Sequence, residues 1–185
     1  MMNAKEDLRR RFLLLRDSLD KRERSTLSEM IQESVISLDE FRSCESIGNY
    51  SAIGSEVDTS MIARYSLIQG KSLAYPRIIN SSTMEFRLVR DASLDLVVGR
   101  YSILEPLDSC EYVEPELLIV PAIVWDEEGY RIGYGKGYYD RYLAKHDALC
   151  IGLAYDFQVL SSIPHTSNDA KVDIIITERR ILYTD

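Results

Sequence analysis

The sequence predicts an α/β protein whose open, mostly parallel sheet carries helices on both faces. Three observations point there. Helical and strand patterns alternate along the chain. One strand–helix–strand unit, residues 46–76, has the form of a right-handed crossover between parallel strands. Leu117-Leu118-Ile119-Val120 is a continuous apolar run, as expected of a strand covered on both faces. With 185 residues, 45% of them hydrophobic and 28% charged, the chain suits a single globular domain over 1–185. No repeat, low-complexity segment or linker divides it.

Residues 3–19 read as an amphipathic helix, with Leu8, Phe12, Leu15 and Leu19 recurring at steps of four, three and four. At about 100° per residue, Lys5, Arg9 and Arg16 fall beside that stripe rather than opposite it. Cations in such a place either snorkel to solvent or point into a neighbouring cleft. A second helix spans 24–38, with Leu27, Ile31, Val35 and Leu38 on one face. Ser46 to Tyr50 is a short strand. Asp58 or Thr59 then caps a helix that ends near Gln69, with Gly70 as the residue that stops it. Lys71 to Pro76 is the next strand.

Residues 78–113 are less regular. Met84 to Val89 alternates roughly, as an antiparallel strand does, and Pro106 and Pro115 punctuate the approach to 117–120. A helix over 137–146 and apolar strands at Leu149–Ala154 and Val172–Thr177 complete the pattern. Trp125 and Cys150 carry no expectation beyond core packing. Open sheets of this kind bind ligands outside the carboxyl ends of their strands. Two segments stand after strands, residues 51–58 and a glycine-rich stretch.

That stretch is the most informative part of the chain. Four of the nine glycines fall between Gly129 and Gly137, around Arg131 and Lys136, and Asp140 follows three positions later. A backbone so bare can close on an anion. Arg131 and Lys136 would supply charge to a phosphate, and the free N–H groups of a helix starting at Tyr138 favour anions as well. Spacing excludes two familiar phosphate loops. A Walker A loop would need glycine at Tyr130 and Ser or Thr at Gly137, and a dinucleotide fingerprint would need glycine at Tyr138. The same glycines also suit a surface turn, with Tyr138, Tyr139 and Tyr142 packing a helix onto the core.

The formal charge of −8 argues against broad nucleic-acid or anionic-membrane binding, though not against one anionic ligand. Apolar runs are too short to span a bilayer, and the N-terminal stretch lacks a secretory h-region. Cys44, Cys110 and Cys150 are too far apart for a zinc site or a disulfide framework. Reduced thiols and a cytoplasmic location are expected.

The run Val120-Pro121-Ala122 through Gly129-Tyr130-Arg131-Ile132-Gly133-Tyr134-Gly135-Lys136-Gly137-Tyr138-Tyr139-Asp140 resembles the 5-formyltetrahydrofolate cyclo-ligase family, also called methenyltetrahydrofolate synthetase. Lys5-Glu6-Asp7-Leu8-Arg9 is similar to its N-terminal Lys-x-x-Leu-Arg, and Glu56-Val57-Asp58-Thr59 to its acidic substrate motif. Asp169-Ala170-Lys171-Val172-Asp173 is similar to its C-terminal segment. The resemblance covers nearly the whole chain in order.

It implies a three-layer α/β/α sandwich. It also implies a ligase that converts 5-formyltetrahydrofolate, polyglutamylated or not, to 5,10-methenyltetrahydrofolate, using MgATP and releasing ADP and phosphate through an iminium phosphate. By resemblance, Arg131, Ile132, Gly133, Tyr134, Gly135, Lys136, Gly137, Tyr138 and Tyr139 wrap the triphosphate, with Arg131 and Lys136 as catalytic cations. Tyr134 to Tyr138 also border the folate. Lys5, Arg9 and Asp169 match ATP contacts, Ser51 and Glu56 match substrate contacts, and Asp140 matches the magnesium-associated aspartate. A monomer or weak homo-oligomer is expected.

Two positions depart from the family pattern: Asn168 stands where His is frequent, and Tyr134 where some members carry Arg. From the residues themselves, Asp140 also suits a first-turn carboxylate, Glu56 a solvated loop acid and Asp169 an Asx turn. Two rival functions use the same features: a folate- or nucleotide-binding protein without turnover, and a sugar-phosphate isomerase or CoA-transferase relative by fold analogy.

Overall fold

The computed structural model describes residues 4–184. Helix α1 (Ala4–Ser18) agrees with the expected helix 3–19, whose first residue lies outside the described residues. Helix α2 (Lys21–Ser37) begins three residues before the expected 24. The reason is local. The Asp20 carboxylate accepts the N–H groups of Arg22 and Glu23 at 2.8 and 2.9 Å, capping the helix there. A short α3 (Asp39–Ser43), unforeseen in the sequence, leads into β1 (Ser46–Gly48). Helix α4 (Ser60–Ile68) follows and ends before Gly70, whose φ of +72° stops it.

Strand β2 (Ser72–Ile78) turns back antiparallel into β3 (Met84–Leu88), as the alternation suggested. The irregular stretch then resolves into α5 (Ala92–Asp95) and a hairpin of β4 (Leu96–Val98) and β5 (Leu104–Pro106), followed by β6 (Tyr112–Val113). Next come β7 (Leu117–Val120), β8 (Val124–Asp126) and β9 (Arg131–Ile132). Helix α6 (Tyr138–Leu143) is shorter than the expected 137–146. Strands β10 (Leu149–Leu153), β11 (Val159–Leu160), β12 (Ile174–Ile176) and β13 (Ile181–Tyr183) complete the order.

The main sheet has eight strands in the order β13-β12-β10-β7-β1-β2-β3-β6. Its five central strands, β12 to β2, are parallel, and the remaining pairings are antiparallel. The expected open, mostly parallel sheet with helices on both faces is therefore present. Alternation along β7 shows how both faces are filled. Leu117 and Ile119 join Ile31, Val35 and Phe41 beneath α2 and α3, while Leu118 and Val120 join Trp125 and Tyr142 on the opposite face.

That second face holds α6 and a small three-stranded sheet, β11-β8-β9, which the sequence reading did not foresee. Trp125 of β8 is fully buried against β10 and donates its indole N–H to the Leu153 carbonyl at 3.2 Å. Gly152 makes this fit possible, because a Cβ there would lie 2.5 Å from the Trp125 ring. A rigid indole cannot swing aside as a flexible chain would. Gly152→Ala should therefore cost about 1–3 kcal/mol of stability by overpacking. A urea midpoint unchanged from wild type would show that the ring has room to move.

Helix α1 packs on the small sheet, not the main one. Phe12 sits among Ile123, Val124, Ile132 and Ile163. This turns the helix by roughly 50° from the face its leucines suggest. Leu15, expected inside, is 42% exposed, whereas Arg16 is only 2% exposed. The edge bearing Lys5, Arg9 and Arg16 is the one that faces the protein.

Candidate active site

The chain runs outward from β1 to β2 on one side of the sheet and from β7 to β10 on the other. A crevice forms where such a sheet reverses direction, beyond the carboxyl ends of its strands. A cleft of about 940 Å³ lies there. The loop after β1 supplies Ser51 and Glu56, and the end of β2 supplies Pro76 and Ile78. The turn after β7 supplies Pro121 and Ala122, and α1 lays Lys5 and Arg9 along the rim. Residues Arg131 to Asp140 form another wall, and Asp169 closes the end beside Lys5. Every site residue expected from the sequence borders this one cleft.

The glycine loop takes conformations that side chains resist. Gly135 and Gly137 have φ of +87° and +66°, and Gly137 begins α6 in the left-handed region. Arg9 braces this loop by donating Nε–H to the Gly133 carbonyl at 2.8 Å. Lys5 pairs with Asp169 at 2.7 Å. Burial works against the Asp169 charge, but Lys5 and hydrogen bonds from Thr166 outweigh it and hold the carboxyl below its usual range. The two Thr166 bonds, from N–H at 2.6 Å and the hydroxyl at 3.0 Å, come from a residue three positions earlier. They are therefore not the Asx turn the residue type suggested, whose carboxylate accepts an N–H two residues on, but they let Asp169 close its own loop.

Arg131 is buried as the first residue of β9. Its Nη1 donates to the Ala170 carbonyl at 2.7 Å and its Nη2 to Asp140 Oδ1 at 2.8 Å. Burial draws its pKa below the ordinary guanidinium value, with Asp140 the chief opposing group. The same Asp140 oxygen accepts the Ala170 N–H at 3.3 Å. Asp140 Oδ2 has no hydrogen-bond partner among the described residues, and the side chain borders the cleft. Lys136 contrasts with Arg131. It is exposed, its ammonium 5.8 Å from the Tyr101 ring centre, and among the described residues no carboxylate pairs with it.

At the other end, Glu56 is half-buried and its Oε2 accepts the Ile53 N–H at 2.9 Å. Burial pushes its carboxyl above the usual range, against the opposing pull of that N–H, Arg16 and Tyr134. Ser51 donates its hydroxyl to the Leu104 carbonyl at 3.0 Å, tying the loop after β1 to the β4–β5 hairpin. Tyr139 forms part of the wall between the two ends. Burial raises its pKa, and its hydroxyl is buried with no hydrogen-bond partner among the described residues. The cleft is thus cationic at the glycine loop and apolar at Ile53, Ile78, Met84 and Ile103, with Glu56 as an acceptor in the apolar part.

Several cleft residues escaped the sequence reading. Tyr101, Ile103 and Glu105 come from the hairpin, where no periodicity marked an element. Tyr101 and Ser102 both have positive φ, at 58° and 59°, which is uncommon for side-chain-bearing residues and unreadable from composition. Arg16 carried a signal, its place beside the apolar stripe, but nothing that predicted its burial.

Magnesium is usually held by one or two carboxylates together with substrate phosphates. Asp140, with one oxygen anchored and the other without a hydrogen-bond partner among the described residues, lines the cleft and fits that mode. Among the described residues there is no cluster of three His, Cys, Asp or Glu side chains that would form an all-protein cage. Nor is any helix long and apolar enough to cross a membrane.

Known proteins resemble this chain over most of its length. The chain is 34% identical to 5,10-methenyltetrahydrofolate synthetase from Aquifex aeolicus, with a TM-score of 0.88 over 98% of this chain and 93% of that structure. A synthetase structure from Mycoplasma pneumoniae matches at 25% identity and a TM-score of 0.78, over 95% of this chain and 99% of the other. Among curated proteins, 5-formyltetrahydrofolate cyclo-ligase of Mus musculus is 28% identical over 95% of this chain and 94% of its own length. The Arabidopsis thaliana relative, 30% identical over 86% of this chain and 69% of its own length, is named mitochondrial. Family membership by itself therefore does not carry the cytoplasmic location expected from the sequence. The family model for 5-formyltetrahydrofolate cyclo-ligases matches residues 1–178. The chain belongs to the 5-formyltetrahydrofolate cyclo-ligase family, ATP-dependent ligases that convert 5-formyltetrahydrofolate to 5,10-methenyltetrahydrofolate.

Proposed function

We propose that ring closure proceeds through a phosphorylated formyl oxygen, with the triphosphate of ATP on the glycine loop and the pterin beside Glu56. The observation that carries this reading is the continuity of one cleft from exposed Lys136 to half-buried Glu56. A formamide oxygen is a poor leaving group. It attacks the γ-phosphorus, the bond to the β–γ bridging oxygen breaks, and ADP departs. The formyl carbon becomes an N5 iminium phosphate. N10 then adds to that carbon and loses its proton. The C–O bond breaks with its electron pair on phosphate, leaving the methenyl cation.

Phosphoryl transfer is chiefly positioning and charge stabilisation. Lys136 meets the transferring phosphoryl group, and the N–H groups of the glycine loop meet its oxygens. Lys5 and Arg9 hold the nucleotide side of the cleft. Arg131, committed to Asp140 and Ala170, contributes by fixing the Asp140 carboxylate and by its charge. Asp140 would hold magnesium, which when bound neutralises phosphate charge. Glu56 accepts N–H donors of the pterin, as a carboxylate is an acceptor only. Tyr138 and Tyr139 offer aromatic faces.

Purified protein should form 5,10-methenyltetrahydrofolate only when MgATP and 5-formyltetrahydrofolate are both present, with one phosphate released per product. The methenyl product is followed by its near-ultraviolet absorbance. Folate binding without any turnover would instead identify a binding protein.

A further inference from the structure

Arg16 belongs to no expected ligand contact, yet it is among the most buried charged residues of the chain. Its guanidinium reaches three segments that are distant in sequence. Nε donates to Ser55 Oγ at 3.0 Å, in the loop after β1 and next to Glu56. Nη1 donates to the Ala122 carbonyl at 3.3 Å, in the turn after β7. Nη2 donates to the Tyr134 hydroxyl at 3.0 Å, in the glycine loop. Ser55 donates its own hydroxyl to Asp17 Oδ1 at 2.5 Å, so the serine is fixed from both sides. Tyr134, accepting from Arg16, lines the same cleft as Glu56.

Burying a guanidinium is costly, and an apolar group of similar size would usually stabilise a core at least as well. What the planar fork supplies is geometry: several donors at fixed angles to one another. Here the fork spans the two ends of the cleft. If the glycine loop shifts on a phosphate, Tyr134 shifts with it, and Arg16 transmits the displacement to Ser55 and Glu56. The reverse holds when a ligand engages Glu56.

We propose that Arg16 is a positioning residue that couples the two ligand sites, so that nucleotide and folate each raise the affinity for the other. This rests on the reading of nucleotide at the glycine loop and folate at Glu56. Coupling of this kind is reciprocal by thermodynamic necessity, and the two-loop fork requires no movement of the main sheet.

The test is calorimetric titration of the full chain with a non-hydrolysable MgATP analogue, with and without saturating 5-formyltetrahydrofolate, and then in the opposite order. Wild type should show a coupling factor on the order of tenfold, equal in both orders. Arg16→Lys keeps the charge but loses the fork, and should bring the factor to about one while each ligand alone still binds. Tyr134→Phe removes only a hydroxyl at the cleft surface. It should also abolish coupling, whatever it does to either affinity alone, and it serves if Arg16→Lys does not fold. An uncoupled wild type, or a variant retaining the wild-type factor, would overturn the proposal. Absence of either ligand's binding to wild type would instead refute the underlying assignment of sites, and the proposal with it.

Discussion

Lys136→Ala is expected to lower kcat on the order of 10²-fold, the scale of removing one preorganised charge donor, and to change the folate KM much less. A cation on the transferring phosphoryl group acts mainly where charge develops, so its loss appears in kcat. The structure makes this variant clean to interpret. Lys136 is exposed, and among the described residues its ammonium has no carboxylate partner, only the Tyr101 ring at 5.8 Å. Truncation leaves no buried group unsatisfied, so the fold should be untouched. Steady-state kinetics with a thermal melt as control decides the matter. Activity near wild type would make Lys136 an ordinary solvated loop residue.

Glu56→Gln should weaken folate binding by roughly 1.5–3 kcal/mol, the worth of a hydrogen bond to a charged group, while nucleotide binding stays nearly intact. The amide keeps the size of the carboxylate but presents a donor to a ligand that already donates. Arg9→Ala should show the opposite preference, because Arg9 braces the glycine loop at Gly133. Burial holds the Glu56 carboxyl above its usual range. Protonation would remove the acceptor, so wild-type folate affinity should fall as pH is lowered from neutrality, beginning above the ordinary carboxylate range. The Gln variant should lack this dependence. Calorimetric titration of each variant with each ligand is the measurement. Equal loss of both ligands in both variants would refute the division of labour.

Much of this site was legible from residue type and spacing, for physical reasons that act locally. Only glycine takes positive φ without strain, so the spacing of Gly133, Gly135 and Gly137 announced a loop shaped by its backbone, and the loop is present. The unbroken apolar run 117–120 announced a strand covered on both faces, and β7 is fully buried. The position of Lys5 and Arg9 beside a leucine stripe announced cations at the edge of a packed face. The N-cap at Asp20 was equally local, but it lay seven residues before the first apolar position, Leu27, and so went unread.

The sequence by itself determined the fold class, the bare backbone of residues 133–137 and the cations that accompany it, because each follows from the conformational limits or periodicity of a short segment. Only the tertiary structure decided which face of α1 is buried. Its leucines and arginines lie within one broad arc, and packing on the small sheet brings Arg16 in and turns Leu15 out. Tertiary structure also gave Arg131 its partners, Asp140 and Ala170, and brought the hairpin of Tyr101 and Glu105 to the cleft rim. These are long-range pairings. A side chain's neighbours 39 residues away, as between Arg131 and Ala170, are fixed by how sheets and helices stack, and no local preference encodes that.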